Sequence, residues 1–273
     1  MENLTFRYIN FTITLHKKEG GYMKIHIHKK YESLTEELRN IPDGKYKVLH
    51  TFCNRRNTVE LAEIATHTFV IKRYKMPNPA NRIIYTLFRK SKAQRAYENA
   101  LKILRCGVST PFPVAYIETK RKRLFHTGYF VSEYMNLPTL ENFAQKNHDK
   151  DETRQLKLDF TEFTISLHEK GILPLDYNPK NIFYYKEKNH YKFALTDINR
   201  AKFGKISRYK DTMYSFEQLG IPAEQLYNAL LEYTERQELD IEASLFMILY
   251  FRMKKRVKRF IKRRLRSILK KQK

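Results

Sequence analysis

The chain has 273 residues, 42% of them hydrophobic with 18 Phe and 19 Tyr, which suits one large domain or two lobes and excludes global disorder. Lys and Arg number 53 against 29 Asp and Glu, and more than half of the net charge of +24 sits in residues 252–273, where 13 basic residues meet no acidic one. Only Cys53 and Cys106 occur, outside any CxxC pair, and no apolar run approaches the roughly 20 residues of a spanning helix, which excludes a disulfide scaffold, a structural zinc site and a membrane span.

Residues 1–22 fit nothing downstream and are expected to be either a poorly packed, disordered leader or an over-long start, with a fresh start available at Met23. They lack the basic-then-apolar order of a secretory signal, so a reducing, cytoplasmic setting is expected. A short helical stretch follows at 31–40. Residues 45–52, 58–64 and 68–74 alternate or are β-branched, which predicts strands, with a polar turn at Asn54-Arg55-Arg56-Asn57. Pro77 and Pro79 break the chain. A helical pattern then runs over about 81–105, with Ala96, Ala100, Leu101 and Leu104 at core spacing. Strands at 114–118 and 128–135 follow, and Asn136-Leu137-Pro138 marks a boundary.

Beyond it, Thr139 can cap a helix over 140–147, and a second helix over 153–170 is stopped by Gly171. Short strands at 182–185 and 191–196 flank residues 188–190, and the rest is helical. The order predicts an α+β fold of two lobes. A five-stranded antiparallel lobe with one main helix covers 23–135, a mostly helical lobe covers 136–251, and a basic amphipathic helix covers 252–273.

Two loops flank the second hairpin. In G-I-L-P-L-D-Y-N-P-K-N-I-F-Y, Asp176 and Asn181 are five apart, and in F-A-L-T-D-I-N-R, Asp197 lies just past the next strand. Such a set can divide base and metal roles, as phosphoryl transfer requires: magnesium to neutralise phosphates and a carboxylate to orient the attacking hydroxyl. Upstream, Lys72 interrupts an apolar strand in V-I-K-R-Y, a costly placement for a lone ammonium, and Glu98 on the following helix is a candidate partner.

These stretches, with S-K-A-Q-R-A-Y-E and G-V-S-T-P-F-P-V-A-Y-I-E, resemble the lipopolysaccharide core kinases of Gram-negative bacteria (Kdo/heptose kinases, Kdo/WaaP type), a branch of the protein-kinase-like superfamily. The likeness covers roughly residues 23–215. It implies ATP and Mg2+ as cofactors and a Kdo or heptose sugar of the lipopolysaccharide inner core, on lipid A, as acceptor. Carried onto this chain, it makes Lys72 the contact to the α/β-phosphates with Glu98 as ion-pair partner, and Asp176 the catalytic base. Asn181 and Asp197 become magnesium ligands, and Glu133-Tyr134-Met135 the hinge against which adenine stacks. Lys180 is our own addition, a cation for the γ-phosphate, since Asn178 stands where kinases often have Lys.

The departures are the glycine-free C-N-R-R-N-T turn, where Arg55 or Arg56 could replace backbone contacts by charge, Pro174-Leu175-Asp176 in place of His-x-Asp, and Asn199 where Gly is usual. The alternatives are a protein or small-molecule kinase of the same fold, a pseudokinase, and a basic membrane- or RNA-binding module. His168 is expected to brace the catalytic loop, His26 and His28 to be structural, and the cysteines to be half-buried and inert. Met253, Val257, Phe260, Ile261, Leu265, Ile268 and Leu269 trace one helical stripe among cations. That pattern suits a helix on the anionic inner leaflet, peripheral on the inner membrane, or a solvated helix docked on the second lobe. Nucleic acid is not expected, because no binding motif accompanies the charge.

Overall fold

Alternating side chains in the first half of the chain build a single antiparallel sheet with helices on both faces. The structure is a computed structural model that describes residues 4–8, 11–18, 21–145 and 149–271. The chain divides into two units, Met1–Asn136 with Leu195–Arg200, and Leu137–Ala194 with Ala201–Lys273.

The first unit contains β1 (Leu4–Tyr8), β2 (Phe11–Lys18), β3 (Gly21–His28), β4 (Lys47–Asn54), β5 (Asn57–Ile64), β6 (His67–Tyr74), β7 (Pro113–Arg121) and β8 (Leu124–Glu133). Their order in space is β1-β2-β3-β7-β8-β6-β5-β4. The helices are α1 (Thr35–Arg39), α2 (Pro79–Leu87) and α3 (Lys92–Arg105). One core cluster joins Ile25, Ile27, Phe69, Ile71 and Val131 to Tyr31, Leu34 and Leu38 from the segment around α1. A second joins Tyr74 and Tyr116 of the sheet to Ala93 and Tyr97 of α3. The close approach of α3 depends on small residues, since a Cβ on Gly128 would sit 3.0 Å from that of Ala93.

Two expectations change here. Residues 4–8 and 11–18, within the stretch expected to be a leader, form strands: β1 pairs with β2 and β2 with β3, so Ile13 lies opposite His26 and Phe11 opposite His28. The sheet therefore has eight strands, three of them ahead of the five expected. The helical stretch at 81–105 is two helices, because Ser91 accepts a hydrogen bond from the Gln94 amide at 3.1 Å and starts α3 afresh.

The second unit contains α4 (Leu140–Ala144), α5 (Lys150–Glu169), β9 (Ile172–Leu173), β10 (Ile182–Glu187), β11 (His190–Leu195), β12 (Lys202–Phe203), α6 (Lys210–Leu219), α7 (Ala223–Arg236) and α8 (Ile241–Lys271). Thr139 and Asn142 form a capping box on α4. The expected end of that helix at 147 lies outside the described residues. Gly171 terminates α5 at φ 67°, and a Cβ there would meet the Gly204 carbonyl oxygen at 2.6 Å, so β9 leaves the helix along a path open only to glycine.

The basic tail is not a separate helix from 252 but the second half of α8, 31 residues long. Ser244 and Ile248 are buried, Phe251 meets Tyr214 edge-on at 5.4 Å, and Lys255 reaches Glu217 at 3.1 Å. From 253 to 265 every residue is exposed, which removes the expectation of a tail docked along its length. The Ile268 and Leu269 side chains lie outside the described residues. Among the described residues no helix is long and apolar enough to cross a membrane.

Candidate active site

Phe69 and Ile71 of β6 enter the buried core, so Lys72 falls on the opposite face with Tyr74, as period two requires. Its ammonium lies 5.5 Å from the Tyr74 ring centroid and 2.6 Å from Asp197 Oδ1, with only 14% of the side chain exposed. Burial and the Asp197 charge push the Tyr74 hydroxyl well above its usual range, which keeps it neutral.

Asp197 reaches Lys72 because the segment Leu195–Arg200 is stitched into the first unit. The Leu195 amide donates to the Ser109 carbonyl at 2.9 Å, Thr110 Oγ1 donates to the Leu195 carbonyl at 2.7 Å, and Asn99 Nδ2 donates to the Ile198 carbonyl at 2.8 Å. Asp197 itself has φ 52°, a left-handed conformation that a short polar residue tolerates and that often marks a functional position. Asn199 Nδ2 donates to Asp197 Oδ1 at 2.6 Å. Asn199, read from sequence only as a departure, thus orients the carboxylate; its spacing of two from an Asp was the available signal.

The expected Lys72–Glu98 pair is not formed. Glu98 binds Lys90 at 2.8 Å and accepts from Gln94 at 3.0 Å instead. The reason is helical phase. Lys92, Ala96 and Asn99 share one side of α3, and Asn99 reaches the Asp197 segment, whereas Glu98 is turned by about 100° from Asn99. Glu133 is also committed elsewhere. Its carboxylate accepts from Lys30 at 2.6 Å and from the Tyr31 hydroxyl. Burial pushes this carboxyl up, but those two hydrogen bonds together hold it below its usual range. The segment 133–135 can therefore offer a base its backbone rather than that side chain. Met135 is half-buried, and the exposed rings of Phe52 and Tyr134 lie 6.3 Å apart beside it. Arg55 and Arg56 are exposed at the tip of the β4–β5 turn, and so is Cys53, contrary to the half-buried expectation.

In the second unit, Asp176 sits on a loop fixed by its own neighbour. Tyr177 is fully buried, stacks on Phe160 at 5.7 Å, and shares a 2.9 Å hydrogen bond with Thr164 of α5. The Asp176 carbonyl accepts from the Asn178 amide at 2.9 Å and from Asn181 Nδ2 at 2.9 Å, which closes the loop. Lys180 is 3.1 Å from Glu141 rather than unpaired. Both partners are largely exposed, so this pair is weak and can open. The His168 ring directs its hydrogen bonds away from the loop. Its ring nitrogens lie 2.9 Å from the Tyr233 hydroxyl and 3.3 Å from Ser215 Oγ, bracing α6 and α7, and burial lowers its pKa to about 4. His26 is packed between Tyr97 and Tyr116, each at 4.8 Å, and His28 Nδ1 accepts from the Lys30 amide.

The donors suit magnesium in kind. Among the described residues no three His, Cys, Asp or Glu side chains cluster, but Mg2+ commonly takes one or two protein oxygens and fills its octahedron with water and phosphate. Of the two expected ligands, each taken within its own unit, Asp197 carries a carboxylate oxygen and Asn181 a side-chain amide oxygen, both of the kind magnesium accepts.

A model of the lipopolysaccharide kinase (Kdo/WaaP) family matches residues 50–239, well over half of the chain. Among solved structures, WaaP in complex with acyl carrier protein is similar in fold, with a TM-score of 0.53 and 15% identity over 84% of this chain and 92% of that one. A probable serine/threonine-protein kinase, fnkB of Dictyostelium discoideum, is 35% identical over 69 residues, 24% of this chain. The chain spans only 13% of that protein's length.

Proposed function

The chain belongs to the lipopolysaccharide kinase (Kdo/WaaP) family, and we propose that it transfers the γ-phosphoryl group of ATP to a hydroxyl of a Kdo or heptose sugar in the lipopolysaccharide inner core. The observation that carries the reading is the 2.6 Å contact between Lys72 and Asp197, inside the family-matched segment, with Asp197 in a left-handed backbone conformation. A cation that contacts phosphates and a carboxylate that takes metal are thereby held together in one unit.

The acceptor oxygen forms a bond to the γ-phosphorus as the bond to the β–γ bridging oxygen breaks and ADP leaves. The hydroxyl proton goes to Asp176, whose loop is immobilised by Tyr177. Lys72 offsets charge on the α/β-phosphates, and Lys180, released from Glu141, does so at the γ-phosphate. Asn199 keeps Asp197 oriented. Asp197 and Asn181 would each offer magnesium an oxygen, and the bound ion would supply neutralisation of the phosphate charge. The exposed apolar and basic faces of α8 support placement on an anionic membrane surface, where a glycolipid acceptor resides.

A protein kinase of the same fold is the second reading, favoured by the likeness to the Dictyostelium enzyme. Labelled ATP offered in parallel to Kdo-bearing lipid A, a heptose-bearing core and casein separates the two. Label on either glycolipid and not on casein supports the proposal, and label on casein alone overturns it.

A further inference from the structure

A cavity of about 430 Å³ lies wholly within the first unit, between the β4–β5 turn, α2 and the start of α3. Arg56, Lys75, Arg89 and Lys92 line it, and no Asp or Glu does. The remaining lining is mainly amide and aromatic, including Asn81 and Tyr85. Arg95 follows Lys92 one turn on along α3, with its Nε buried and without a hydrogen-bond partner. Among the described residues none of these five cations has a carboxylate within ion-pair distance.

Like charges gathered without counter-charge are unfavourable unless an anion joins them. The cost is visible at Lys92, whose pKa is lowered by burial first and then by Arg56 and Arg95, with Asp197 opposing. The start of α3, a helix of 14 residues, also opens here, since Lys92 and Ala93 both line the cavity. The positive end of its dipole adds to the potential there. The volume falls within the range of sites that enclose a small ligand.

We propose that this cavity binds a phosphate group, held by Lys92, Arg89 and Arg56. The phosphate comes either from the nucleotide tail or from a phosphorylated glycolipid headgroup. Tyr74 lines the cavity and holds the Lys72 ammonium 5.5 Å from its ring centroid, which puts the cavity next to the Lys72–Asp197 pair, and only this link to the donor or the acceptor rests on the kinase reading. The site also answers how a β4–β5 turn without glycine can serve phosphates: cations replace the backbone amides that a glycine-rich loop would present.

The test is direct titration of the full-length protein with inorganic tripolyphosphate, using Lys92→Met and Arg89→Gln, with Lys205→Met as a charge-matched control outside the cavity. Arg89 is exposed, so its variant folds even where Lys92→Met does not. Each cavity variant is expected to weaken binding about tenfold, as loss of a charge-assisted phosphate contact does, with the control unchanged. Tripolyphosphate binding that changes less than about twofold in both variants overturns the site. Two further titrations assign the source. Weakened ATP with unchanged adenosine identifies the nucleotide tail. Unchanged ATP with weakened binding of phosphorylated, but not dephosphorylated, lipid A identifies the headgroup. Because binding is read without turnover, tripolyphosphate binding that depends on Lys92 without any phosphate transfer would sink the kinase reading and leave the site standing.

Discussion

Acidification should destabilise the folded chain through His168, and the size of the effect follows from its surroundings. The ring is 8% exposed, wedged between α5, α6 and α7 against the Tyr233 and Ser215 hydroxyls. Burial lowers its pKa from 6.5 to about 4. Between those values the unfolded chain takes up a proton that the folded chain refuses. The stability present above pH 6.5 is therefore lost as the pH falls towards 4. The shift sets a limit of about 3 kcal/mol, of which about 2 kcal/mol has gone by pH 5. Urea unfolding of wild type and His168→Gln at pH 7 and pH 5 measures it. Glutamine keeps a donor and an acceptor but does not titrate, so the variant should lose about 2 kcal/mol less than wild type between the two pH values. An equal loss in both proteins would refute the assignment of the proton to His168.

Three further outcomes are expected. Tyr177→Ala, which empties a fully buried site against Phe160, should cost about 3 to 5 kcal/mol, whereas Tyr177→Phe, which loses only the hydroxyl at Thr164, should cost about 1 kcal/mol by denaturant unfolding. The two-residue β7–β8 turn holds Lys122 at φ 49° and Arg123 at φ 61°, so Arg123→Gly should stabilise by about 1 kcal/mol and raise the thermal midpoint. Phe260→Asp together with Leu265→Asp should abolish co-sedimentation with anionic vesicles while leaving the melting temperature unchanged, because both side chains are exposed on α8.

Lys72 was legible in the sequence because an ammonium inside an apolar strand demands a reason, and its place on β6 follows from alternation alone. Its partner was not legible. Which side of α3 faces the sheet is set by Ala93, Ala96, Tyr97 and Ala100, and that phase carries Glu98 away to Lys90. The first two strands could have been found, since Phe11, Ile13 and Leu15 alternate with Thr12, Thr14 and His16. Alternation names no partner for them, because pairing in a sheet is a tertiary property. The same limit hid the stitching of Leu195–Arg200 to Ser109, Thr110 and Asn99, contacts separated by some 85 to 100 positions in sequence. The Asp176 loop was recognisable from residue types, but its rigidity comes from the stack of Tyr177 on Phe160, which no spacing announces.

Phosphate transfer from γ-labelled ATP with magnesium to Kdo-bearing lipid A, compared between wild type and Asp176→Asn, tests the central claim most directly. Asparagine keeps the size and the loop, because the hydrogen bonds that close it go to the main-chain carbonyl of residue 176. It removes the carboxylate that would accept the proton. The account predicts label on the glycolipid with wild type and a loss of at least about a hundredfold in the variant. Equal labelling by both proteins would contradict the role of Asp176, and no ATP binding by either would contradict the kinase itself.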